Sequence, residues 1–247
     1  MPNHLDTASG RRLAYHLTPG RGPVVVFLGG FKSDMEGTKA LTLEAWAQAR
    51  GQGFLRFDYS GHGQSSGNFE EGCIGDWAAD ARAVLGALTE GPVVLVGSSM
   101  GGWISLLIAR DLGRVAGLVT IAAAPDFTER GMWASFSDAE RAVLMDQGRL
   151  ELPSEYSPDP YVITRRLIED GRDHRVMEDP LPLPFPVRLL QGTADADVPM
   201  DWALDLLDHA TGDDIRLVLV KGADHRFSTD ACLRLIETAV AEVLADA

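Results

Sequence analysis

Cysteine is scarce: the 247-residue chain has two, Cys73 and Cys232, far apart and in no ligand-like spacing. That scarcity argues against a disulfide framework or a zinc site and points to a reducing compartment. Long apolar runs are missing as well. No stretch of about 18 apolar residues occurs, so no integral membrane segment is expected. The opening MPNHLDTASGRRLAYHL has no apolar core of signal-peptide length, and a cytoplasmic location is the expectation. Positive charge falls short of negative, 22 Lys and Arg against 36 Asp and Glu, for a formal net charge of −14. Such a surface repels phosphate backbones, which makes nucleic acid a poor partner. No complete dinucleotide or phosphate-loop motif is present, so no cofactor is implied.

What the chain does contain is alternation. With 45% hydrophobic residues, its composition is that of a soluble globular protein, and its length suits one large α/β domain. RRLAYHL (11–17) alternates and reads as an antiparallel strand. PVVVFLGG (23–30), GFLRFDYSG (53–61), PVVLVG (92–97) and VAGLVTIAAA (115–124) read as strands, as do FPVRLLQG (185–192) and IRLVLVKG (215–222). Helical patterns cover 38–51, 73–91, 100–113, 200–210 and 229–245. Together they imply a mostly parallel sheet with helices on both faces. The alternation stops between Pro125 and Pro184, where helical pieces near 137–147 and 161–170 sit among prolines. A structureless connection that long is uncommon. Residues 1–124 and 185–247 are therefore expected to form the core, and 125–184 a lid inserted over the C-terminal strand edge.

Gly97-Ser98-Ser99-Met100-Gly101 matches G-x-S-x-G between a strand and a helix. There the central serine occupies a strained turn that lifts its hydroxyl above the sheet, which selects Ser99 over Ser98. A serine hydroxyl needs a base to take its proton, and the base needs an orienting acid, in the chain order Ser, acid, His. Of the histidines after Ser99, His174 lies in the insertion and His209 inside a helical pattern. His225 follows the strand 215–222 and is the expected base. The acid should follow the strand 185–192, in TADADVP. Asp195 is favoured over Asp197, which stands just before a helix where an acid also serves the helix dipole. A metal site from Asp195, Asp197 and His225 lacks a third strong ligand of plausible spacing, and none is expected. The oxyanion would be met by the backbone N–H groups of Met100 and, from the loop after strand 23–30, Phe31.

These residues resemble the α/β-hydrolase superfamily over essentially the whole chain: the Gly-Gly-Phe loop, the serine turn, Gly-x-x-Asp with Val-Pro following, and Asp-His fall in order. RFDYSGHGQSSG also looks like the superfamily's R-x-D-x-x-G-x-G-x-S segment, in which Asp58, Gly61, Gly63 and Ser65 would shape a loop near the site and His62 would take no part in catalysis. One departure is Leu28-Gly29-Gly30, where many members have His-Gly. The resemblance implies an eight-stranded, mostly parallel sheet. A closer resemblance, carried by GGFKSDMEGTKA, RFDYSGHGQSSGNFEEG and VGSSMGGW, is to the branch containing the mitochondrial palmitoyl-protein thioesterase, which also cleaves acyl glucuronides, and its bacterial relatives. It implies hydrolysis of esters and thioesters of long or aromatic acyl groups. The first strand begins within a few residues of Met1 and no Arg/Ser-rich transit segment is seen, so the chemistry is carried over and the organelle is not.

The expected reaction is two-step acyl transfer through Ser99, His225 and Asp195. Expected substrates are small molecules or acylated proteins, and the chain is expected to act as a monomer or small homo-oligomer. Met132, Trp133, Phe136, Tyr156 and Tyr161 either line an acyl pocket or form the lid's own core. C–C bond hydrolysis or perhydrolysis on the same fold is the alternative chemistry, and a non-catalytic binding protein the alternative class.

Overall fold

The computed structural model describes residues 1–152 and 160–245. In chain order its strands are β1 (Asn3–Asp6), β2 (Arg12–Thr18), β3 (Arg21–Leu28), β4 (Gln52–Phe57), β5 (Val93–Ser98), β6 (Val115–Ile121), β7 (Arg149–Leu152), β8 (Tyr161–Thr164), β9 (Leu181–Pro182), β10 (Val187–Gly192), β11 (Ala210–Thr211) and β12 (Ile215–Val220). The helices are α1 (Thr38–Arg50), α2 (Ile74–Leu88), α3 (Met100–Asp111), α4 (Asp138–Gln147), α5 (Arg165–Asp173), α6 (Met200–His209) and α7 (Asp230–Ala245).

Eight strands form one sheet in the order β1-β2-β4-β3-β5-β6-β10-β12. The two edge pairings β1–β2 and β2–β4 are antiparallel, and the remaining neighbours run parallel. The continuous apolar runs follow from this layering. Every residue of β5 is buried, because helices cover both of its faces. On one face Trp77, Val84 and Leu85 of α2 pack with Trp103 and Leu107 of α3; on the other, Leu43 and Trp46 of α1 pack with Ile236, Val240 and Val243 of α7. The fold is that of an α/β hydrolase.

Three local differences from the sequence reading have physical reasons. β1 carries only one residue that is even partly buried, so NHLD has no apolar signature, and it exists as the antiparallel partner of β2. Residues 161–164 are a strand where a helix was expected over 161–170. Tyr-Val-Ile-Thr is rich in β-formers and pairs with β7, and Thr164 then caps α5 by accepting the Leu167 N–H at 3.1 Å. Several strands end earlier than the apolar runs that announce them, because the backbone turns before the run is finished. β6 stops at Ile121 before Ala122 enters the left-handed region, with φ 47°.

Between β6 and β10 the chain leaves the sheet through a π-helical turn over Thr128–Trp133, α4, the β7–β8 ribbon and α5. The base of this excursion is held by Asp126. Its buried carboxylate accepts the N–H groups of Val176 at 2.9 Å and Met177 at 3.1 Å, joining the two ends of the segment. Farther out, Asp170 accepts the Gly75 N–H and Arg166 pairs with Asp76, both bonds reaching α2.

Candidate active site

Ser99 joins β5 to α3 with φ 54° and ψ −118°, a left-handed conformation that side chains rarely adopt. The turn is this tight because three backbones meet. A methyl group on Gly101 would stand 2.0 Å from the Leu28 carbonyl oxygen, and one on Gly97 would stand 2.3 Å from the Gly101 oxygen. Only glycine fits either place, so the spacing of G-x-S-x-G is a packing requirement of β3, β5 and α3. The Ser99 N–H donates to the Ile121 carbonyl at 2.9 Å, and its own carbonyl accepts from Gly102 and Ala124. Backbone bonds of this kind hold a conformation that isolated serine would leave.

Ser99 Oγ lies 3.1 Å from Nε2 of His225, and His225 Nδ1 lies 2.9 Å from Asp195 Oδ2. A carboxylate only accepts, so Nδ1 carries the proton and Nε2 is left to accept from the serine hydroxyl. Asp195 is fixed in turn. Oδ1 accepts the N–H groups of Asp197 at 3.0 Å and Val198 at 2.8 Å, and Oδ2 also accepts from the Gln191 amide at 3.0 Å. Burial pushes the Asp195 carboxyl up, but the bonds from His225, Val198 and Gln191 outweigh it and hold it below the ordinary carboxylate value. Ligand atoms of Asp195, Asp197 and His225 lie within 4.8 Å of one another. Hydrogen bonds to His225, Gln191 and two amides occupy both Asp195 oxygens.

Met100 opens α3, and the first N–H groups of a helix have no intrahelical acceptor. Across from it runs the loop after β3, where the Gly30 carbonyl accepts from the Ser33 N–H and hydroxyl. Gly30 comes so close to Ser99 that an added methyl would lie 3.4 Å from the serine Cβ. Phe31 follows directly, and Phe31, Ser99 and Met100 line one cleft. The Asp58 loop supports this arrangement from below: its carboxylate accepts N–H groups from Met35 and Gln64, and its carbonyl accepts the Ser65 hydroxyl. His62 is buried against Tyr59, Phe69 and Trp77, with its pKa lowered by that burial to about 4.

A cleft of about 820 Å³ opens over Ser99. Phe136 and Tyr161, named from the sequence, line it, as does Met132. Trp133 does not; its ring is flanked by the guanidinium groups of Arg141 and Arg172, with centroid distances of 5.3 and 4.6 Å. Tyr156 lies outside the described residues. Sequence reasoning missed Phe127, Ile163, Trp202 and the cations Lys32 and Lys39, all of which line the cleft. Lys39, on α1, donates to the Arg226 carbonyl at 2.6 Å and so ties down the loop carrying His225. Its only sequence signal was its position shortly after the Gly-Gly-Phe loop.

Residues 25–245 match the Alpha/beta hydrolase family. A Bos taurus protein named mitochondrial palmitoyl-protein thioesterase ABHD10 is 36% identical over 231 residues, covering 91% of this chain and 74% of its own length. A crystal structure from Agrobacterium vitis S4 has a TM-score of 0.95 at 41% identity, covering 99% of this chain and 98% of that one. Mouse alpha/beta hydrolase domain-containing protein 10 has a TM-score of 0.91 at 31% identity, covering 99% and 98%. Among the described residues no helix is long and apolar enough to cross a membrane. A family match over nearly the whole chain, joined to relatives 31% to 41% identical, leads to one conclusion: this hydrolase belongs to the alpha/beta hydrolase family.

Proposed function

We propose that the chain hydrolyses esters and thioesters of apolar acyl groups through an acyl-enzyme on Ser99. The observation that carries this reading is the hydrogen-bonded chain Ser99–His225–Asp195 beneath a largely apolar cleft. His225 Nε2 takes the hydroxyl proton as Ser99 Oγ attacks the carbonyl carbon. Asp195 keeps the imidazole in the tautomer that can accept and offsets the positive charge it gains. The Phe31 and Met100 amides stabilise the oxyanion. The tetrahedral intermediate collapses as His225 returns the proton to the leaving oxygen or sulfur. Water then repeats the sequence on the acyl-serine, releasing the carboxylic acid.

Residues 125–184 act as a lid whose Phe127, Met132, Phe136 and Ile163 receive the acyl chain, while 1–124 and 185–247 carry the chemistry. The thioester half of the reading draws on relatives named as palmitoyl-protein thioesterases. Those relatives are also named mitochondrial, so a cytoplasmic location for this chain rests on its composition alone, and fractionation of the source cells tests it.

The test is turnover of p-nitrophenyl esters of graded chain length, followed by acyl-CoA, acyl-cysteine and acyl-glucuronide substrates, each with Ser99→Ala as control. Rates that rise with chain length and vanish in the control support the reading. Undiminished turnover by Ser99→Ala sinks it.

A further inference from the structure

Lys32 stands apart from the other cations of the cleft. Lys39 is spent on the Arg226 carbonyl, and Arg226 has an interaction of its own. Among the described residues Lys32 meets no carboxylate; its ammonium lies over the ring faces of Tyr161 and Phe69, at 4.5 and 5.3 Å from their centroids. Its backbone has φ 57°, in the left-handed region. A glycine would occupy that position without strain, so what the lysine brings is its side chain. That side chain belongs to the residue directly after Phe31, whose amide faces the reacting carbonyl in the reading above.

Depth decides which half of a substrate it would meet. Of the residues lining the cleft, Phe136 and Ile163 are 5% and 1% exposed, whereas Lys32 is exposed. An apolar acyl chain is better buried against Phe136 and Ile163, and a charged leaving group better left in water beside Lys32. We infer that Lys32 is a specificity-determining residue that selects substrates whose alcohol or thiol half carries an anionic group, a carboxylate or a phosphate. Two aromatic faces hold the ammonium in place without neutralising it, leaving its protons for a charge-assisted hydrogen bond to that anion. The locally unpaired cation matters more in a chain whose net charge is −14, because the rest of the surface repels the same group.

This inference rests on the proposed acyl-enzyme reading, and the two can fail separately. The probes are octanoyl esters of meta-hydroxybenzoate, which carries a carboxylate, and of meta-hydroxybenzamide, its neutral counterpart. A third probe is a meta-hydroxybenzamide monoester of decanedioic acid, which places the carboxylate on the acyl end. The wild-type enzyme should prefer the first ester over the second by about tenfold in kcat/KM, expressed in KM, the size expected of one charge-assisted hydrogen bond. Lys32→Met should abolish that preference while leaving the neutral ester unchanged, and Lys32→Arg should keep most of it. Equal losses on both octanoyl esters would mean a structural role and overturn the inference. A loss confined to the decanedioate probe would overturn the placement at the leaving group, and no preference in the wild-type enzyme would overturn the selection itself. Neutral-ester hydrolysis that survives Ser99→Ala would instead defeat the catalytic reading.

Discussion

The cleft has two walls of different construction. The lower wall is the Gly97–Gly102 turn with the loops after β3, β10 and β12, where backbone contacts leave no room for alternatives. The upper wall is the 125–184 segment, joined to the core by Asp126, by the Asp170–Gly75 bond and by the Arg166–Asp76 pair. Chemistry that demands fixed geometry sits where main chain meets main chain. The proposed selectivity sits where side chains of the upper wall meet the site, and that segment packs on the core through apolar residues such as Phe136, Leu144, Ile163, Leu167 and Ile168 as well as through these polar bonds. Reactivity and preference should therefore respond to different substitutions.

The sharpest way to break that division is Ser99→Ala. We expect kcat/KM to fall by about 10⁴-fold or more with little change in melting temperature, measured on a short-chain ester and by thermal unfolding. Next comes the acid. Asp195→Asn should cost about 10³- to 10⁴-fold in kcat, because an amide in place of the carboxylate favours the wrong imidazole tautomer. Asp197→Asn should stay within a few-fold, and the reverse ranking would hand the role to Asp197.

His62 probes the packing under the lower wall. Its folded pKa of about 4 lies below the ordinary 6.5, so between those values the unfolded chain binds a proton that the folded chain refuses. Its contribution is full above about pH 6.5 and is lost as pH falls toward 4. His62→Phe should flatten that part of the stability–pH curve by up to about 3 kcal/mol, measured by denaturant unfolding across the window. The smallest effect concerns the upper wall. Phe136→Ala should lower kcat/KM for long-chain esters by roughly tenfold while short-chain esters hold, since only a long chain reaches the apolar end. Trp133→Leu, outside the cleft, should change neither substrate's rate appreciably; selective loss of long-chain activity there would redraw the pocket.

The same division governs what was legible in the sequence. The lower wall could be read because each of its parts needs a particular residue at a particular spacing: Gly97 and Gly101 against neighbouring carbonyls, Ser99 between them, Asp195 and His225 after successive strands. β1 could not, because a four-residue edge strand with one partly buried side chain leaves no periodic trace. The upper wall was readable as an interruption and little more. Aromatic type did not separate Phe136, which faces the cleft, from Trp133, which two arginines cover. Residues 161–164 read as helix until β7 was there to pair with. Lys32 and Lys39 were invisible because what a cation does depends on which ring or carbonyl it reaches, and those partners lie far along the chain.

Asp126 has a consequence for how the protein tolerates change. Its carboxylate spans a sequence separation of 50 residues with two short hydrogen bonds. Seen from the sheet, everything beyond that clasp is a loop already closed, whose length adds to the entropy of closure only logarithmically, about 0.6 kcal/mol per doubling. A segment of different length grafted between Asp126 and Val176 then meets little added closure cost, provided that it supplies apolar residues like Phe136, Leu144, Ile163, Leu167 and Ile168 that pack into the core. One buried acid thus holds the base of the upper wall together while apolar packing holds the rest.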